Sequence, residues 1–285
     1  MKTFRDKLCL VTGAASGIGR ATAVALGRRG ARLCLTDLDG EGLLESRRLA
    51  EAAGGRVVAC QALDITDEQA VLAFAAGIRQ AETAVDMVLN IAGISTWGTI
   101  DSLESRHWRQ LVEVNLMGPV HVLRAFVPAM IAARRGGHVV NVSSAAGLFG
   151  LPWHAAYSAT KFGLRGISEV LRFDLRHHGI GVSLVCPGAV DTGLVRTINI
   201  VGIDRDDARV QALTRRFQRH AVSPERAAEA ILKGVRRNRY MVFTSADVRI
   251  GYWFQRKFAW PYEMAMRLLS GKVFALAARV KDERG

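Results

Sequence analysis

Short apolar runs rich in Val, Leu and Ile alternate along the chain with longer stretches whose apolar residues recur every three or four positions. The runs fall at Leu8–Thr12, Arg32–Thr36, Val57–Ala62, Asp86–Asn90, His138–Val142, Val182–Cys186 and Tyr240–Thr244. They are continuous rather than alternating, the pattern of strands covered on both faces. The stretches between them carry helical spacing, the longest from Glu104 to Ala133, with others at Ala155–His177 and Pro224–Arg237. This rhythm predicts the α/β class: one doubly wound parallel sheet of about seven strands, with helices on both faces. The rhythm lapses after Gly188, where a long polar stretch reaches about Val222 before Ser223-Pro224 opens the next helix. Residues 1–247 therefore read as one domain, with 189–222 as a loop or lid region and 248–285 as a helical C-terminal extension.

Composition narrows the class. At 285 residues, 49% hydrophobic and 23% charged, the chain buries a sizeable core, which excludes a disordered, collagen-like or disulfide-scaffold protein. No run approaches the roughly 18 consecutive apolar residues a membrane span needs, and Ala125–Ala133 is broken by Pro128. Met1–Ala15 copies a signal peptide only superficially, because Thr12 and Gly13 interrupt its apolar run, and the chain reads as cytoplasmic. Cys9, Cys34, Cys60 and Cys186 stand singly in strand-like runs, as buried thiols do, and no His lies at ligand spacing to suggest a metal.

The net charge of +13 is unevenly placed. Residues 205–285 hold 18 basic and 8 acidic side chains, a balance of +10. No nucleic-acid-binding signature accompanies this charge, which leaves nucleic acid a minor alternative. In the extension, Tyr252, Trp253, Phe254, Phe258, Trp260, Tyr262 and Phe274 are interleaved with Arg249, Arg256, Lys257, Arg267, Lys272 and Arg279. Two readings stay open: peripheral contact with an anionic membrane surface, or packing on the parent domain or a partner subunit.

The first strand runs into Thr12-Gly13-Ala14-Ala15-Ser16-Gly17-Ile18-Gly19 and then an Ala-rich helix. Glycines there let the backbone approach a pyrophosphate at a helix N-terminus. At the end of the second strand stands Asp37. A carboxylate there accepts hydrogen bonds from both ribose hydroxyls and repels a 2′-phosphate, which predicts NAD over NADP. Later in the chain, Tyr157 and Lys161 share one helical face at i and i+4.

The glycine spacing resembles the T-G-x-x-x-G-x-G loop of the short-chain dehydrogenase/reductase family, and the resemblance extends over about residues 5–245. It implies a Rossmann fold and an oxidoreductase. Asp64, in Leu63-Asp64-Ile65, is similar to the family's Asp beside the adenine ring. Asn90-Ile91-Ala92-Gly93 resembles its N-N-A-G, with Ile91 in place of the second Asn, and Pro187-Gly188 its P-G motif. The implied cofactor-binding set is Gly13, Ser16, Gly17, Ile18, Gly19, Asp37, Asp64, Asn90, Ala92, Gly93, Tyr157, Lys161, Pro187, Gly188 and Thr192. The implied catalytic set is Asn115, Ser144, Tyr157 and Lys161. Lys161 then holds the nicotinamide ribose, and Asn115 perturbs its helix and holds a water that links Lys161 to solvent.

Tyr157 is expected as the general acid–base, its phenol pulled below its ordinary value by the Lys161 ammonium and by an oxidised nicotinamide. Ser144 steadies the reacting oxygen. Ser143 points the other way along the strand and is structural, and His154 is substrate-facing or packing rather than catalytic. Ser95, Trp97, Ser144, Phe149, Trp153, His154 and Tyr157 are expected around the substrate. Their apolar character favours a hydrophobic secondary alcohol or ketone: steroid-like, retinoid-like or 3-hydroxyacyl. The family's assembly mode implies a homodimer or homotetramer through Glu104–Ala133 and Ala155–His177. Two other classes stay open, a nucleotide-sensing regulator on the same fold and a scaffold that uses the basic tail.

Overall fold

The computed structural model describes residues 3–193, 199–202 and 221–282. In chain order it forms β1 (Leu8–Thr12), α1 (Gly17–Gly27), β2 (Arg32–Asp37), α2 (Gly40–Ala52), β3 (Arg56–Ala62), α3 (Glu68–Ala81), β4 (Met87–Asn90) and β5 (Thr96–Trp97). There follow α4 (Ser105–Val112), a π-helical turn (Glu113–Met117), α5 (Gly118–Ala133), β6 (Gly137–Val142), α6 (Ala155–Asp174) and β7 (Ile180–Cys186). The last elements are β8 (Asn199–Ile200), α7 (Pro224–Arg236), β9 (Met241–Phe243), α8 (Ala246–Lys257) and α9 (Ala259–Asp282).

Seven strands make one parallel sheet in the order β3-β2-β1-β4-β6-β7-β9. The order reverses between β1 and β4, and a doubly wound sheet binds its ligand in the crevice at that point. This is a Rossmann-type fold. Alternation along β1 sorts the two cores. Cys9 and Val11 pack with Leu26 of α1, Leu43 of α2 and Ile231 of α7, whereas Leu8 and Leu10 pack with Phe74 of α3 and Phe126 of α5. Burial pushes the Cys9, Cys34 and Cys186 thiols up, which keeps them protonated and unreactive.

Helix starts follow the sequence closely. Asp39, Asp67 and Ser223 accept hydrogen bonds from the first-turn amides of α2, α3 and α7. Ser105–Ala133 corrects one expectation. Pro128 lies inside α5 without ending it, so the helix holds an 18-residue window of mean hydropathy 1.5, apolar and long enough by composition to cross a membrane. Half of that window is buried within the domain, where His121 and Phe126 pack beneath the sheet.

Most of segment 189–222 lies outside the described residues. Of the rest, Val190 bridges Val222, and Asn199–Ile200 pairs in parallel with Thr96–Trp97.

Candidate active site

The switch point is built by close backbone approach. Gly13 has φ +68°, and a Cβ there would lie 2.7 Å from the Ala92 backbone, so the turns after β1 and β4 meet only over a glycine. Thr12 Oγ1 locks the two turns together by accepting from the amides of Ile91 (3.1 Å) and Ala92 (3.2 Å). Ser16 is extended and makes no side-chain cap on α1. The first-turn amides therefore remain for an anion.

Two side chains hold this loop from the α2 side. Asp37 accepts from the amides of Ala15 (2.8 Å) and Asp39 (3.1 Å). Arg20 donates to the Ala15 carbonyl, to the Gly42 carbonyl (3.1 Å) and to Ser46 Oγ (2.9 Å). Arg20 and Thr12 went unnoticed in the sequence as loop-setting residues, because their partners are backbone groups of distant segments.

A cleft of about 760 Å³ opens over the switch point. Ser16, Gly17, Ile18, Gly19, Asp37, Asp64, Ala92, Gly93, Pro187, Gly188 and Thr192 all line it, together with Ser144, Tyr157 and Lys161. Asn90 does not. Its amide donates to Asn141 Oδ1 (2.9 Å), and Asn141 donates on to Ser168 (2.9 Å). This buried chain stitches β4, β6 and α6 together, so Asn90 supports the floor of the cleft instead of facing a cofactor.

The residues expected to be catalytic converge from three elements. Ser144 follows β6, and its hydroxyl accepts from the Ala146 amide (3.1 Å) and hydrogen-bonds the Tyr157 phenol. Ser143 turns inward and donates to the Lys161 carbonyl (2.9 Å), the structural part expected of it. Lys161 Nζ donates to the Val142 carbonyl (3.2 Å) and stands 5.6 Å from the centre of the Tyr157 ring. Asn115 sits in the π-helical turn, fully buried. Its amide grips Ile94 from both sides, accepting from the Ile94 amide and donating to the Ile94 carbonyl, each at 2.9 Å. A Cβ on Gly93 would meet Asn115 Oδ1 at 2.9 Å and Lys161 Nζ at 3.3 Å, which places all three at one corner.

The electrostatics correct the expectation for Tyr157. Burial pushes its phenol up to about 12, with the Ser144 hydrogen bond working the other way. Burial also draws Lys161 down to about 8. A buried ammonium that is itself disfavoured gives little help to a phenolate. At neutral pH the pair therefore rests as a protonated phenol beside an ammonium that releases its proton more readily than an ordinary lysine.

On the substrate side the predicted residues divide. Trp97 Nε1 donates to Ser95 Oγ (2.7 Å), and the Trp97 ring lies 4.2 Å from that of His154, which is 6.2 Å from Tyr157. Burial lowers His154, and its Nδ1 lies 2.6 Å from the Pro152 carbonyl, so it is a neutral packing group. Trp153 has φ +64°, a strained conformation for a bulky residue, and its carbonyl accepts from the Gly98 amide (2.9 Å). Phe149 goes elsewhere. Its ring packs towards Tyr262 of α9 and against Gly251 of α8. Of the predicted substrate residues only Ser144 and Tyr157 line the cleft, whereas Ser95, Trp97, Phe149, Trp153 and His154 do not.

A family model described as short chain dehydrogenase matches residues 7–200. The chain belongs to the short-chain dehydrogenase family. A protein of Mycobacterium tuberculosis called SadH is 36% identical over 251 residues, covering 87% of this chain and 90% of its own. The C alpha-dehydrogenase of a Sphingobium species is 31% identical over 263 residues, covering 88% and 84%. The crystal structure of a short-chain dehydrogenase/reductase from Burkholderia phymatum in complex with NAD superposes with a TM-score of 0.81 at 28% identity, covering 90% and 95%. This short-chain dehydrogenase is thus an oxidoreductase that uses a nicotinamide cofactor. Its own cleft fits one: the loop at Gly13–Gly19 admits a backbone-bound pyrophosphate, and the Asp37 carboxylate stands at the cleft's β2 side. Among the described residues no group of three His, Cys, Asp or Glu is placed to hold a metal.

Proposed function

We propose that this chain is an NAD-dependent dehydrogenase that moves a hydride between NAD and an apolar secondary alcohol or ketone. The observation that carries the reading is the meeting of Ser144, Tyr157 and Lys161 in the same cleft whose far side holds Asp37. When bound, the cofactor supplies the hydride acceptor or donor and, oxidised, a positive ring. Asp37 would take the ribose hydroxyls, and its charge disfavours a 2′-phosphate. Lys161 would hold the second ribose.

The chain's own residues manage the proton. Ser144 Oγ orients the reacting oxygen. Tyr157 Oη accepts the alcohol proton during oxidation and returns it during reduction. As a phenol held protonated, Tyr157 is ready as an acid. To serve as a base it needs added positive charge beside it. The apolar class of substrate is supported by Ile94, which lines the cleft with Tyr157 and joins it in one apolar cluster with Leu103, Leu111 and Leu151, and by the Trp97 and His154 rings packed nearby. The relative named C alpha-dehydrogenase and the neighbour solved with NAD favour the same chemistry. Steroid-like, retinoid-like and 3-hydroxyacyl compounds are the candidates. We also read the protein as cytoplasmic and homo-oligomeric.

Turnover of NAD across a panel of apolar secondary alcohols tests the reading, and sugar alcohols are the contrasting set. Activity confined to the sugars would overturn the substrate class. The Tyr157→Phe variant should keep its cofactor affinity and lose at least ~90% of kcat, about 1.4 kcal/mol or more in barrier. Retention of most of the turnover would remove Tyr157 from the proton transfer.

A further inference from the structure

The extension sorts its aromatic residues into two sets. One set holds it to the body. Val248 is buried beside Leu148 and Cys186. Tyr252 accepts from Arg165 (3.0 Å) and lies 6.0 Å from the ring of Phe243. The hydroxyl of Tyr262 accepts from the Gly150 amide (3.2 Å).

The other set faces away. Ile250, Trp253 and Phe254 are exposed on α8, and Trp260, Met264 and Leu268 recur at i, i+4 and i+8 along α9. Trp253 is 57%, Trp260 69% and Leu268 63% exposed. Phe258, at the corner between the helices, joins part of this set, with its ring 5.7 Å from Trp253 and 5.2 Å from Phe254. Single exposed apolar residues are ordinary, but a run of large ones along two successive helices marks an interaction surface.

Charge decides what that surface meets. Arg249, Arg256 and Lys257 stand exposed among the aromatics of α8, and on α9 Glu263 is engaged by Arg267 at 2.7 Å. Residues 248–285 carry eight basic and three acidic side chains. A second copy of the chain docked on the same face would bring these cations against their own equivalents, since a two-fold contact is made of one patch twice. An anionic bilayer meets no such repulsion. Tryptophans, leucines and cations on one helical surface are what the lipid headgroup boundary accommodates.

We propose that α8 and α9 seat this protein on an anionic lipid surface, with Trp253, Phe258, Trp260 and Leu268 in the headgroup boundary and Arg249, Arg256 and Lys257 against the phosphates. Gly251 and Tyr262 abut the Phe149–Gly150 loop that follows Ser144, so the seat adjoins the catalytic corner. A substrate dissolved in lipid would reach the cleft from that side. The seat itself stands on the extension alone and does not depend on the proposed turnover.

The test is co-sedimentation of the full-length protein with vesicles of phosphatidylcholine alone or with about 30% phosphatidylglycerol. The protein should pellet with the anionic vesicles, remain largely in solution with the neutral ones, and be released at about 0.5 M salt. Trp253→Ala combined with Trp260→Ala should lower the partition coefficient at least ~10-fold while the mass in solution stays unchanged. Arg249→Glu combined with Lys257→Glu should do the same through charge. Failure of the wild type to pellet, or undiminished pelleting of both variants, overturns the proposal. So does a fall in solution mass of the tryptophan variant, which would make the face a contact between copies.

Discussion

Tyr157 and Lys161 lie one helical turn apart, and the same burial shifts them in opposite directions. Their effect on stability can be worked out from the proton count. Unfolded, Lys161 keeps its proton to its ordinary value of 10.5, whereas folded it releases it near 8. Between those limits the unfolded chain binds more protons, so stability rises with pH. Tyr157 does the reverse, holding its proton in the folded chain to about 12 against an ordinary 10. Stability therefore falls as pH rises through that window. Lys161 by itself is expected to contribute a rise of up to ~3 kcal/mol from about pH 8 to 10 in the cofactor-free protein. The buried Cys9, Cys34 and Cys186 thiols oppose it above about pH 9, and then Tyr157 does, so it is read as the difference between the wild type and a variant without it. Denaturant melts at several pH values check this against Lys161→Met, which should lack the rise. An equal rise in the variant would remove the assignment. Cofactor choice rests on Asp37 in the same way. The wild type is expected to prefer NAD over NADP in kcat/KM by at least ~100-fold, about 3 kcal/mol. Asp37→Ala should narrow that ratio and also weaken NAD, because the carboxylate holds the Ala15 and Asp39 amides as well. Equal use of both cofactors by the wild type would refute the reading.

Among the elements, the loop between β1 and α1 tolerates least. A Cβ on Gly19 would lie 1.8 Å from the Gly13 carbonyl oxygen, so Gly19→Ala must displace backbone. Cofactor affinity should drop at least ~100-fold, with a lowered melting temperature. Gly77→Ala is the contrast. Gly77 is an exposed residue within α3 with nothing near the added carbon, and the change should stabilise by roughly 0.5–1 kcal/mol. Calorimetry and nucleotide titration of the two variants compare these outcomes. Nearly normal binding by Gly19→Ala would show that the loop adjusts. This loop was legible in the sequence because its glycines answer local geometry, and the seven main strands were legible for a similar reason: each is a continuous apolar run. Features that depend on a distant partner were not. The perturbed helix at Asn115 was legible only through the family resemblance, and its cause, the grip on Ile94, leaves no local mark. The β5–β8 pair joins two residues from each of two loops, too few to leave a periodic trace. Phe149 was expected beside the substrate, yet the extension, more than 90 residues later by number, claims its ring.

For the whole molecule, assembly and the lipid seat would use different faces. The outward side of α6 carries Phe162, Val170 and Phe173, all exposed, with Ala159 before them and Gly166 between Phe162 and Val170 along the same stripe. Small residues on such a stripe allow two helices to approach closely, and the large ones then fill the gaps. Unlike the cationic face of α8, this stripe carries as exposed charges only Glu169 and, at its C-terminal end, Asp174, so a two-fold contact brings few like charges together. The expected species is a dimer or tetramer of the 31.0 kDa chain. Val170 is 59% exposed in the isolated chain, so Val170→Glu should fold with little loss, within about 0.5 kcal/mol, yet place a carboxylate at the contact. Light scattering at micromolar concentration should then show the mass falling by half or more. Circular dichroism should show the melting curve of the separated subunit, lower only by what association had added. A wild type of 31 kDa would remove the oligomer outright. A variant that keeps its full mass would move the contact away from α6.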